Sequence, residues 1–248
     1  TGAFNALVDW DTKLFVDPFL LRKCVTPEFV GAHEQLLKHF TGTLKLIGGS
    51  SRKNDLFYQR AKRRLLFREI GSFGLGYSKE STSGSGIGGI FSDQLIETLK
   101  VIYDAGVQDP ELFELLGLFQ EGIGADRISD MTCNILVKQF AEFTQRVFQT
   151  SDFNGTSLSV EMGDSTFKLP RHPYRKHYPV FLVPKELLRD LPVAEDGFSI
   201  GDVYYENEQI RNKLNEIIGS NWREDIRKYG KRDLQHFLLS NPKWLKEV

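Results

Sequence analysis

Between Asp126 and Gln149 the apolar residues Ile128, Met131, Ile135, Leu136, Phe140, Phe143 and Val147 recur at helical spacing and fill one wide arc. A helix with so broad an apolar face must bury it, so the rest of the chain has to supply packing partners. An earlier stripe makes the same demand. Phe29, His33, Leu36, Leu37, Phe40, Leu44 and Ile47 follow the helix start Thr26-Pro27-Glu28, and Gly48-Gly49 stops the run. Helices are further predicted from Asn54 or Asp55 with Phe57, Ala61 and Leu65 inward, from Ser92 or Asp93 to Ala105, and from Asp109-Pro110-Glu111. Later ones run from Pro184 to before Pro192, from Val203 to Ile218, from about Trp222 to Leu239 with a break at Gly230, and from Pro242.

Strand patterns are fewer. Lys13–Val16 reads as a short buried strand ended by Asp17-Pro18, because proline cannot continue a ladder. Phe73–Tyr77 is a second, with little side-chain bulk. Ser157–Met162 and Ser165–Leu169 around Gly163-Asp164 predict a hairpin, and Tyr178–Val183 a buried strand. The expected fold is α+β, predominantly helical, with a small mixed or antiparallel sheet. With no linker or repeat, 1–248 is expected to form a single compact domain. Within it, 1–150 would be a mainly helical lobe, and 151–248 would add the hairpin, the buried strand and more helices. The chain opens without an initiator Met and closes inside a helical pattern, so it is expected to be an excerpt of a longer protein.

Charge narrows the function classes. A formal net charge of −1 excludes a surface that is basic throughout, so any nucleic-acid contact must be local. The charges are nonetheless segregated. Arg52, Lys53, Arg60, Lys62, Arg63, Arg64 and Arg68 are opposed only by Asp55 in that stretch, whereas Asp104, Asp109, Glu111, Glu114, Glu121, Asp126 and Asp130 are opposed only by Arg127. The basic block reads either as a phosphate-contacting face or as a solvated face paired with acids elsewhere. Arg171-His-Pro-Tyr-Arg-Lys-His177 is a second basic segment, in which His172 and His177 are either a ligand or proton-transfer pair or part of a surface loop. Two cysteines, Cys24 and Cys133, exclude a disulfide framework and point to a reducing, cytoplasmic setting. No apolar run reaches the roughly 18–20 residues that span a bilayer, so no membrane partner is expected.

The chemically densest stretch is Glu121-Gly-Ile-Gly-Ala-Asp-Arg-Ile-Ser-Asp-Met-Thr132. Asp126, Asp130 and Asn134 stand at i, i+4 and i+8 on the side away from the apolar arc. Asp126 and Asp130 could bind a divalent cation such as Mg²⁺ or Mn²⁺, with Glu121 joining from the loop and Asp17 from its strand end as catalytic candidates. The competing reading is structural, since acids in a helix's first turns satisfy its free amides and its dipole. Gly84-Ser-Gly-Ile-Gly88-Gly89 formally contains a G-x-G-x-x-G pattern ahead of a helix, but lacks the tight strand–turn–helix unit and the distant acid of a dinucleotide site. It remains either a backbone phosphate clamp through Gly84, Gly86 and Gly89, with Arg127 as a further phosphate partner, or a structural loop.

Several segments carry a resemblance. Thr1-Gly-Ala-Phe, Leu14-Phe-Val-Asp-Pro-Phe-Leu-Leu21, Gly84-Ser-Gly-Ile-Gly88, the 121–132 stretch and Val180-Phe-Leu-Val-Pro-Lys-Glu-Leu-Leu-Arg-Asp-Leu-Pro192 resemble a bacterial family associated with restriction-like and anti-phage gene neighbourhoods. Its longer members resemble PD-(D/E)XK nucleases towards the C-terminus, past where this chain stops. In this chain the one acid-x-Lys near an early strand is Asp11-Thr-Lys13, which precedes Asp17 rather than following it, the wrong order for that motif. The resemblance brings no catalytic residue to this region. It implies the partner-, ligand- or nucleic-acid-sensing part of a defence nuclease, for which the basic segments read above would supply the nucleic-acid contacts through Arg60, Arg63, Arg64, Arg171, Arg175 and Lys176. Two alternatives stand beside it. One is a metal-dependent phosphodiester hydrolase using the Asp and Glu residues above, and the other is an interaction or homo-oligomerisation module in which the opposite charge blocks mate.

Overall fold

The computed structural model describes residues 2–4, 12–68, 70, 72–75, 87–104, 106–114, 116, 120, 122–151 and 155–190. The fold is α+β and predominantly helical. Its helices are α1 (Ala32–Gly49), α2 (Leu56–Arg64), α3 (Gly89–Asp104), α4 (Ala125–Ile135) and α5 (Val137–Thr150). Its strands are β1 (Leu14–Val16), β2 (Ser157–Met162), β3 (Ser165–Pro170) and β4 (Leu188–Asp190). They form two antiparallel pairs, β1 with β4 and β2 with β3. The helices predicted beyond Pro192 lie outside the described residues, as do Gly76 and Tyr77 of the Phe73–Tyr77 stretch, in which Leu75 makes a single parallel bridge to Thr12.

The residues sort into two compact units, each assembled from separate stretches of chain. The first unit takes residues 1–36, 67–86 and 128–191. Its core is aromatic, with Phe140 edge-on to Phe29 and Phe73 at 4.8 and 4.9 Å and Phe73 stacked on Phe181 at 4.9 Å. The apolar arc of α5 packs on β3, and two side chains of the helix take up free backbone amides: Gln145 Oε1 accepts from Lys168 N–H and Thr144 Oγ1 from Leu182 N–H. The hairpin turns at Gly163-Asp164, where Gly163 has φ +60°, and pairs Met162 with Ser165 as its innermost rung. The described residues of the second unit fall in 37–66 and 87–127. Here Phe40 stacks on Phe113 at 3.9 Å and α2 packs on α3.

Three expectations about local structure need correction. The stripe from Phe29 does not start one helix, because Pro27–Phe29 is a 3₁₀ turn, Val30 is extended and Gly31 adopts φ +80° before α1 begins. The long helix after Asp126 is two, α4 and α5, parted at Leu136 with φ −102° and ψ 18°. Finally, Pro184 opens a 3₁₀ turn, Lys185–Leu187, not a longer helix, and the chain then becomes β4. The preceding stretch is extended with Phe181 and Val183 buried, but it makes only isolated bridges at Pro179 and Pro184, which have no N–H to donate.

Candidate functional site

The basic segment of the second unit is built on α2, whose N-cap is Asp55. Its carboxylate accepts from Tyr58 N–H at 2.7 Å and Ser51 N–H at 2.8 Å, and these bonds hold its pKa down at about 2. Helical spacing puts Tyr58 and Ala61 on the buried side, and Leu56, Arg60 and Arg63 together on the outer one. Five of the seven cations divide by role. Lys53 pairs with Glu97 at 2.8 Å and Lys62 with Asp93 at 2.7 Å, so two of the carboxylates that meet this block come from α3. Asp93 also accepts from the Tyr58 hydroxyl, and that phenol's pKa is raised by burial and then by the carboxylate. Arg64 turns inward to α1, where Nε donates to Thr43 Oγ1 at 2.9 Å and Nη2 to the His39 carbonyl at 2.6 Å. Gly42 leaves room for it, since a Cβ there would lie 3.3 Å from Arg64 Nη2. His39 Nε2–H donates in return to the Arg64 carbonyl, and burial together with the Arg64 charge lowers its pKa to about 4. Arg60 and Arg63 are exposed and, among the described residues, meet no carboxylate.

The glycine-rich phosphate candidates fall unevenly. Gly84 and Gly86 lie outside the described residues, while Gly89 is exposed at the first position of α3, near the Lys62 ammonium. Arg127 is already engaged. Its Nη1 donates to the Gly122 carbonyl at 2.7 Å and its guanidinium lies 4.5 Å over the Phe91 ring. Gly122 has φ +80°, and a Cβ on it would meet Phe91 at 3.0 Å and Arg127 at 3.1 Å. Arg127 therefore braces the Gly122 turn that precedes its own helix.

The carboxylates of the proposed hydrolytic centre are placed as follows. Glu121 lies outside the described residues. Asp126 and Asp130 stand one turn apart on α4. Asp126 has its pKa raised by desolvation, against the pull of Arg127. The Asn134 amide is taken by backbone, donating to the carbonyls of Arg68 at 2.7 Å and Asp130 at 2.8 Å. Asp17, 6 % exposed, caps the 3₁₀ turn Pro18–Lys23 through Phe19 N–H at 2.9 Å and pairs with Arg189 at 2.6 Å. Ser129, which carried no sequence signal, accepts from Val16 N–H at 3.0 Å and so ties α4 to β1. Among the described residues no group of three or more His, Cys, Asp or Glu is placed to hold a metal ion.

The second basic segment is a loop grown from the end of β3 in the first unit. Arg171 N–H bonds Thr156 O, Val180 N–H bonds Pro170 O, and His172 N–H bonds Tyr178 O at 2.9 Å, closing the loop at its neck. His172, 4 % exposed, points inward, and its Nδ1 accepts from the amides of Tyr174 at 3.2 Å and Arg175 at 3.1 Å. Tyr178 N–H to Arg175 O completes a turn at the tip. Arg175, Lys176 and His177 are exposed there, and Arg171 is half-buried at the base with its Nε unpaired. The two histidines thus play different parts, one a buried brace and the other a tip residue. Sequence reasoning missed Tyr174 and Tyr178, which are 72 % and 57 % exposed on either side of the cations. Their alternation with Arg and Lys was the available signal.

One further cluster surrounds Glu186, whose carboxylate accepts from the Thr26 amide at 2.8 Å and from the Cys24 thiol at 3.0 Å. Burial and the adjacent carboxylate push the thiol up to about 12, which makes it a poor nucleophile. Among the described residues no helix is long and apolar enough to cross a membrane.

These features define a predominantly helical α+β protein with a basic segment in each unit and, among the described residues, no metal-holding cluster. A family model described as a domain of unknown function, DUF8370, matches residues 1–195, and the chain belongs to that family. No curated protein and no solved structure matches it.

Proposed function

We propose that this chain is a recognition region that contacts nucleic acid through local basic surfaces, within a bacterial anti-phage defence nuclease. The defence setting rests on the segment resemblances alone. The contact chemistry rests on one observation: Arg60 and Arg63 share the outer face of α2 without a carboxylate partner among the described residues, while Lys53, Lys62 and Arg64 are already engaged. Unneutralised guanidinium groups on one helix face suit phosphates, because each contact releases a condensed counterion.

The test is fluorescence anisotropy with labelled duplex and single-stranded oligonucleotides at rising salt. Affinity should fall linearly in log–log form, and Arg60→Ala with Arg63→Ala should weaken binding and reduce the salt slope by about two. Binding indifferent to salt and to both substitutions would overturn the reading.

A further inference from the structure

We propose that the loop 171–178 is a stacking platform for single-stranded nucleic acid, with unpaired bases on Tyr174 and Tyr178 and the intervening phosphates on Arg175 and Lys176. This rests on the nucleic-acid reading above and specifies which form of the ligand the first unit takes.

Three features of the loop converge on that ligand. The first is ring exposure. Among the described residues the other aromatic side chains are mostly buried, yet Tyr174 and Tyr178 each leave more than half their surface in water. The Tyr174 ring is edge-on to His172 at 6.3 Å, so it is seated on the loop's own brace without being covered by it.

The second is order. The His172–Tyr178 bond closes the neck, His172 Nδ1 gathers two successive amides and the Arg175–Tyr178 turn fixes the tip. Exposed rings on a braced backbone lose little further freedom on binding, which favours affinity. The third is charge. Residues 171–178 contain Arg171, Arg175 and Lys176 and no acid, and the cations of the tip stand between the two rings in sequence.

Rings flanking cations match a ligand that alternates π-faces with negative charges, as a single strand does. A duplex hides its base faces in its own stack and offers only the phosphates. A lipid surface would match the cations and tolerate tyrosine, but the loop has no exposed aliphatic side chain to insert beneath the headgroups.

The experiment compares a labelled thymidine oligonucleotide with a duplex of equal length, using the full chain, Tyr174→Ala, Tyr178→Ala and the corresponding Phe variants. Preference for the single strand, with about five-fold or greater weakening for each Ala variant and little change for Phe, is the expected result. Equal binding of both forms, unaffected by the Ala variants but weakened by Arg60→Ala and Arg63→Ala, would overturn the platform and leave the broader reading standing. Failure to bind either form would overturn both. Binding to phosphatidylserine vesicles without oligonucleotide binding would replace the proposal with a membrane surface.

Discussion

Arg189 of β4, whose register partner is Phe15, reaches diagonally to Asp17 just past the end of β1, Nε to Oδ2 at 2.6 Å, while the other carboxylate oxygen of Asp17 caps the turn that follows β1. A carboxylate at a strand end thus has a complete structural explanation. Asp17→Ala removes the cap and the pair together and is expected to cost about 2–4 kcal/mol of stability. Asp17→Asn keeps a capping oxygen and should lose less. Denaturant midpoints of the two variants decide it, and equal losses would show that the cap contributes nothing.

The three arginines of α2 should part company when substituted singly. Arg64→Ala removes the guanidinium donor from Thr43 Oγ1 and from the His39 carbonyl, which keeps only its bonds within α1, and should destabilise the protein by roughly 1–3 kcal/mol. Among the described residues Arg60 and Arg63 meet no partner beyond their own helix, so Arg60→Ala and Arg63→Ala should stay within about 0.5 kcal/mol. Thermal melts of the three variants, taken before any binding assay, therefore separate a folding defect from a lost phosphate contact.

Gly122 is fixed by two constraints at once. Its φ of +80° disfavours any L side chain, and a Cβ would press on both Phe91 and Arg127. Gly122→Ala is expected to lose about 1–2 kcal/mol from the backbone alone. Gly122→Ala combined with Arg127→Ala removes one of the two close contacts. If crowding adds to backbone strain, the double variant should lose less than the sum of the single ones, and strict additivity would dismiss the crowding.

How much of this was legible in the sequence depended on the range of the interactions. The β2–β3 hairpin, the C-terminal end of α3 and the Asp55 and Asp109 caps were all readable, because periodicity and turn chemistry act within a few residues. The segment after Pro184 misled for the opposite reason. Lys185-Glu186-Leu187-Leu188 has good helical propensity, but Leu188 pairs with Val16, a partner far back in the chain. Long range also hid the fate of Asp17, whose partner Arg189 lies in the stretch expected to be helical. The Asp126 side of α4 was legible as a spacing, yet no local pattern announced that Asn134 would be taken up by the Arg68 carbonyl. The exposure of Tyr174 and Tyr178 depends on His172 turning inward, a burial that the loop's polar composition argued against.

His39 gives the fold a pH dependence with a definite sign. Its folded pKa of about 4 lies below the value near 6.5 that an unfolded chain provides, because the ring is partly buried and close to the Arg64 charge. Between those two values the unfolded chain takes up a proton that the folded one refuses, so stability falls as pH drops from about 6.5 to about 4 and this contribution then levels off. His39→Gln can still donate a hydrogen bond to the Arg64 carbonyl but does not titrate. Its urea midpoint should therefore change less between pH 7 and pH 5 than that of the parent protein. An equal change in both would show that the proton uptake occurs at another group, and would remove His39 as the source of the acid sensitivity.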